Sequence, residues 1–198
     1  MKRPLPLNTV VRLALVSGIV LISACAAPIA KPVVGFSCCN LRMEGGWVSS
    51  NNVQGGTLIP AGEPVQLTSI KKRFYVYGSI GGQEVALRDD GANTEADTLR
   101  WVNKLVVSDD PRQRLRAWPA EIRTAAQAGR VLVGMTREQV LFSLGYPSRE
   151  DTPDLEASTW RYWTALDDSP VDLRFDGSGK LADLAGRPAA IRTVGFDS

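Results

Sequence analysis

The chain has 198 residues, 44% of them hydrophobic, with 23 basic side chains against 21 acidic ones and a formal charge of +2. That balance gives no electrostatic case for nucleic acid as a partner, and the length suits one ordinary domain or two small ones. Histidine is absent, which excludes Ser-His-Asp and Cys-His catalysis and the usual zinc sites, so the chain reads as a non-enzyme with no cofactor, no metal and no catalytic residue.

Residues 1–24 read as an export signal. Lys2 and Arg3 open it, and an apolar run from Leu13 to Ile22, interrupted by Ser17 and Gly18, leads to Ser23 and Ala24. A spanning helix needs about 20 apolar residues, twice what this run offers. Ile22-Ser23-Ala24-Cys25 resembles a bacterial lipobox, which implies that the Cys25 thiol carries a diacylglycerol and its freed amine a further acyl chain. An ordinary signal peptide with an accidental cysteine is the alternative. Two or three acyl chains hold a protein firmly to a bilayer without crossing it. Ala26 and Ala27 follow with no Asp, and the resemblance to Gram-negative lipoproteins then implies a periplasm-facing place on the outer membrane. Loss of Lys2, Arg3 and Arg12 with the signal leaves 20 basic against 21 acidic residues, a formal charge of −1.

Residues 25–40 are small, apolar and proline-containing, and read as a lipidated tether. Cys38 and Cys39 are adjacent. They are open to three readings: a strained ring, two idle thiols, or one intermolecular bond. The Cys-x-x-Cys spacing of a redox motif is missing.

Residues 41–92 form a β-rich module. Trp47-Val48, Thr57 to Ile59, Val65 to Thr68 and Phe74 to Tyr77 are expected strands, and Gly81-Gly82 turns the last of these into Gln83 to Leu87. The Ile59 to Gly62 turn followed by Val65 is similar to bacterial SH3-like modules, which would let the region bind peptidoglycan or another envelope component. Lys71, Lys72 and Arg73 sit in a turn, read either as solvated or as a contact for anionic headgroups or peptidoglycan.

Residues 93–118 are a helical connector. Thr94 caps a helix with Asp97 three residues on, and Leu99, Val102, Leu105 and Val106 make its stripe before Pro111 ends it. Residues 119–198 are the second α/β unit. A helix runs from Pro119 to Ala128 and stops at Gly129. A second is capped by Thr136 with Gln139, buries Val140, Leu141 and Leu144, and ends at Gly145 and Pro147. Three strands follow, at Thr159 to Trp163, Val171 to Phe175 and Leu181 to Leu184, the last two joined by the Asp176 to Lys180 turn. That turn lacks the spacing of a phosphate loop. Asp151, Asp154 and Glu156, or Asp167 and Asp168, read as solvated loops before calcium ligands. Arg187 to Ser198 read as a short strand over Ala190 to Val194 or as a tail.

The helix, helix and three-strand order, with Gly134-Met135-Thr136, Glu138-Gln139-Val140, Leu144-Gly145, Pro147, the Trp160/Tyr162 strand and Phe175-Asp176-Gly177 with Gly179-Lys180, resembles the SmpA/OmlA (BamE-like) outer-membrane lipoproteins over about residues 119–185. The resemblance implies an α+β fold, two helices on a three-stranded antiparallel sheet. It also implies action by protein contact, with envelope proteins and the barrel-assembly complex as partners. Inhibitor proteins of the same fold type make an inhibitor-like binding protein an alternative. Trp160, Arg161, Tyr162 and Trp163 are the candidate protein-binding residues. Residues 160 and 162 share one face of the strand, 161 and 163 the other, and each aromatic is weighed as core packing against interface anchor.

Overall fold

The computed structural model describes residues 26–165 and 169–196. The residues read as an export signal (1–24), Cys25, Asp167 and Asp168 lie outside that range. Among the described residues no helix is long and apolar enough to cross a membrane.

The first half is built on β1 (Ala27–Ser37), β2 (Leu41–Met43), β3 (Trp47–Ser49), β4 (Thr57–Ile59), β5 (Pro64–Lys71), β6 (Tyr75–Ile80), β7 (Gln83–Arg88), α1 (Glu95–Leu105) and β8 (Val106–Val107). Six strands make one sheet in the order β3-β7-β6-β5-β1-β8, antiparallel except for the parallel β3–β7 pair, and β2 and β4 form a separate ribbon. Strand alternation decides the buried face: Val65, Leu67, Ile70, Val76, Ile80, Val85 and Leu87 point inward, where Val102 and Leu105 of α1 cover them.

Two expectations change here. Residues 27–37 are not a free tether; they are β1, paired with β5 from Ala27 opposite Ile70 to Phe36 opposite Pro64. The prolines that suggest a linker are accommodated because β8 pairs only with Phe36 and Ser37, leaving one side of β1 without a neighbouring strand upstream. The pairing also shifts register between Pro28 and Val33, and an edge or an irregularity is where a strand tolerates residues without an N–H. The connector helix stops at Leu105 instead of running to Pro111, because the β-branched Val106 and Val107 pair with β1 as β8. Its start is as expected: Thr94 and Asp97 form a reciprocal capping box.

The second half contains α2 (Arg112–Leu115), α3 (Ala120–Gln127), α4 (Arg137–Leu144), β9 (Thr159–Trp163), β10 (Pro170–Phe175), β11 (Leu181–Gly186) and α5 (Pro188–Val194). The strands form an antiparallel sheet in the order β11-β10-β9. Its inner face sends Trp160, Tyr162, Val171, Leu173, Phe175 and Leu181 against Ala125, Ala126, Met135, Val140, Phe142 and Leu144. α4 carries its expected capping box, and Gly145 ends it at φ 78°. Its buried residues are Val140, Phe142, Ser143 and Leu144, while Leu141 is only partly buried. A single-faced stripe fails to describe α4 because the helix is covered on more than one side. Residues Arg187 to Gly195 hold a helix instead of a strand. Pro188 opens α5, and Ala190 and Val194, four apart, bury on one face.

Candidate interaction surfaces

The four residues of the β9 pattern divide by strand alternation. Trp160 and Tyr162 are 0% and 1% exposed. The Trp160 indole donates to the Leu155 carbonyl at 3.2 Å, and the Tyr162 hydroxyl donates to the Gly145 carbonyl at 2.8 Å. Burial pushes the Tyr162 phenol well above its ordinary pKa. Both are core residues and offer nothing to a partner, which corrects their candidacy as binding residues. A buried aromatic face on a half-solvated sheet is what packing against two helices requires.

Arg161 and Trp163 lie on the opposite face. Arg161 makes a two-pronged ion pair with Asp172 of β10, Nε to Oδ1 at 2.7 Å and Nη2 to Oδ2 at 3.0 Å. That hydrogen bond raises the guanidinium's pKa further. Trp163 donates its indole N–H to Asp151 at 2.9 Å. Arg174 and Asp183 repeat the pairing between β10 and β11 at 3.4 Å. The outer face is therefore a row of charges matched across the strands, with one half-buried indole at its edge.

A second surface is aromatic and belongs to the six-stranded sheet. Tyr77 and Trp47 both stand opposite Ala86, so the two rings share one face with Tyr75 two residues along. The Trp47 ring meets Tyr75 edge-on at 5.2 Å and Tyr77 at 6.4 Å, and remains 38% exposed.

Between the two cores runs a polar seam that sequence reasoning missed. The Asn40 side-chain amide donates to the carbonyls of Ala126 (2.7 Å) and Ser143 (2.9 Å), its oxygen accepts from the Ala61 N–H (2.9 Å), and its backbone N–H reaches the Phe142 carbonyl. Asn52 donates to the carbonyls of Leu144 and Tyr146, each at 2.7 Å, Gln54 to that of Leu144 at 3.1 Å, and Arg42 to that of Gly129 at 2.9 Å. The last carbonyls of a helix lack partners of their own, and here the first half of the chain supplies them for both α3 and α4. Scattered amides carry no periodic pattern. The one sequence signal is α4 itself, whose consecutive Val140, Leu141 and Phe142 exceed what a one-sided helix needs. At the head of this seam Cys38 and Cys39 are joined as a vicinal disulfide, the first of the three readings left open by their adjacency.

The Asp176 to Lys180 segment is a turn. The Asp176 carboxylate accepts from the Ser178 hydroxyl and N–H and from the Lys180 N–H, and these bonds, led by the hydroxyl, lower its pKa. No group of three or more potential metal ligands occurs among the described residues.

Residues 120–185 match the outer membrane protein assembly factor BamE domain. This is the SmpA/OmlA (BamE-like) family, and the match covers about a third of the chain. No curated protein and no solved structure matches the chain. The BamE-like region holds α3, α4 and β9 to β11, while the N-terminal sheet and α5 fall outside it.

Proposed function

We propose that this protein is a lipid-anchored, non-enzymatic accessory of outer-membrane protein assembly, held on the periplasmic side of the outer membrane through Cys25. The BamE-like region at residues 120–185 is the observation that carries this reading. The lipobox-like Ile22 to Cys25 supports it independently, since it lies outside the matched residues. Contact with an envelope partner would use the outer face of the β9-β10-β11 sheet, where Arg161 and Trp163 remain accessible. The C-terminal ends of α3 and α4 are already occupied by Asn40, Asn52 and Gln54.

A tagged, acylated chain purified from gently solubilised envelopes tests the reading against its Cys25→Ala counterpart. Enrichment of barrel-assembly components with the acylated form only is the expected result. Their absence from both forms would overturn the assembly role.

A second reading is favoured by the Trp47, Tyr75 and Tyr77 face: the N-terminal β module, the part likened to SH3-like domains, binds peptidoglycan. Aromatic rings with a polar tip are suited to surfaces that are partly apolar and partly wet. Retention of the chain on isolated sacculi, lost on Trp47→Ala, would favour it; equal retention of both would count against it.

A further inference from the structure

We propose that the turn between β5 and β6 is a membrane-apposed tip, in which Lys71, Lys72 and Arg73 bind the anionic headgroups of the bilayer that holds the lipid anchor. The inference rests on the Cys25 anchor proposed above. Strand register supplies the geometry. Ala27 stands opposite Ile70 and Pro28 opposite Ser69, so β1 enters the sheet beside the very end of β5. Cys25 precedes Ala27 by two residues, and two residues of chain reach no farther than about 7 Å. With the proposed anchor, the chain therefore enters β1 at Ala27 at the same end of the sheet as Lys71, which closes β5, and the Lys72-Arg73 turn.

The chemistry of that end fits an anionic surface. Three consecutive cations occupy it, and Lys72 and Arg73 are exposed. Basic side chains near a negatively charged leaflet are attracted within a Debye length. Behind them the Arg73 guanidinium lies over the Phe74 ring at 5.9 Å, Phe74 meets Tyr75 edge-on at 5.1 Å, and Tyr75 meets Trp47. Aromatic rings beside cations are the pairing favoured at a membrane–water interface. The acidic groups on the elements packed against it are Asp89 and Asp90 just past β7, paired with Arg149 at 3.3 Å and Arg88 at 2.6 Å, and Glu95 and Asp97 in the first turn of α1, of which Asp97 is paired with Arg100 at 2.8 Å.

The backbone provides an independent observation. Lys72 and Arg73 both hold positive φ, 49° and 58°, a conformation disfavoured for side-chain-bearing residues and typical of glycine or asparagine. The turn is nevertheless fixed from outside: the Thr98 hydroxyl donates to the Arg73 carbonyl at 2.7 Å, and the Asp89 N–H to the Phe74 carbonyl at 3.0 Å. Strained non-glycine positions maintained by their surroundings cluster at functional sites. Asn-Gly is the pair that a turn of this conformation favours; this one carries Lys72-Arg73.

The intact acylated protein, inserted into phosphatidylcholine vesicles with or without phosphatidylglycerol, gives the test. Amine-reactive labelling, read by mass spectrometry, compares Lys71 and Lys72 with Lys104 at the far end of α1 and Lys180 in the β10–β11 turn. A several-fold loss of labelling at Lys71 and Lys72 is expected with phosphatidylglycerol, reversed by high salt, with Lys104 and Lys180 unchanged. The Lys72→Asn/Arg73→Gly variant, whose residues accept positive φ, should fold at least as well, float with both vesicles and lose the protection of Lys71. Flotation with equal labelling in both vesicles overturns the tip alone. Failure to float with either overturns the anchor, and the tip with it.

Discussion

The two halves of this molecule bury aromatic side chains in opposite ways. In the C-terminal sheet, strand alternation drives Trp160 and Tyr162 into a closed core and leaves a charge-paired face outside. In the N-terminal sheet, aliphatic residues fill the core, and Trp47, Tyr75 and Tyr77 stay on the uncovered side. A tryptophan on a strand thus says little about binding until the covered side of its sheet is known. The contrast can be broken by substitution. Trp160→Ala should cost about 4 kcal/mol of stability, as large core truncations do. Trp47→Ala, at a partly solvated site, should cost less than about 1 kcal/mol. Urea denaturation of the two variants measures the difference, and similar losses would contradict the division.

The seam joining the halves gives the next largest effect. Asn40 is 3% exposed and its side chain satisfies two carbonyls and one N–H. Asn40→Ala takes a partner from each of the three, although the Ala126 carbonyl keeps the Gly129 N–H at 3.1 Å, and should cost about 3 kcal/mol, since an unsatisfied buried group costs about 1–3 kcal/mol. Because those groups belong to both halves, the single unfolding transition expected of the parent should split. Tryptophan fluorescence and far-UV circular dichroism followed through the same titration would cease to coincide.

How far the fold is legible in the sequence follows the same division. Both capping boxes, Thr94 with Asp97 and Thr136 with Gln139, can be read directly, because a cap is a local pattern of two residues. The strands from Thr57 to Leu87 and from Thr159 to Leu184 follow from alternation and turn residues. What escapes is non-local. β1 hides behind Pro28 and Pro32, and its partners in β5 lie 28 to 43 residues away in sequence, from Phe36 with Pro64 to Ala27 with Ile70. α5 is too short for its spacing to stand out from a tail. The surfaces divide likewise: that residues 161 and 163 share a face is a property of any strand, whereas the Asp172 and Asp151 partners, the Asn40 seam and the clustering of Trp47 with Tyr75 depend on chain crossings that no local pattern encodes.

Two smaller effects sharpen the comparison at the helix starts. Thr136→Ala removes the α4 cap in the C-terminal half and should lower stability by about 1 kcal/mol, measured by thermal melting. In the N-terminal half, hydrogen bonds from Arg100 and then Thr94 depress the Asp97 carboxyl from 3.8 to about 2. Its folded pKa lies below its unfolded one, so its contribution is fully present above about pH 4 and lost as the pH falls through about 2. Amide exchange at the first turn of α1 should therefore accelerate over that window while the start of α4, capped by neutral groups, does not follow the same titration.

On the proposed function, the BamE-like half meets the assembly partner while the N-terminal half stations the protein at the membrane. Photo-crosslinking in living cells, with the reactive side chain placed in turn at Arg161, Trp163 and Trp47, tests it most directly. Adducts to a barrel-assembly component from positions 161 or 163, and none from 47, are the predicted result. Adducts to that component from position 47 alone would contradict it.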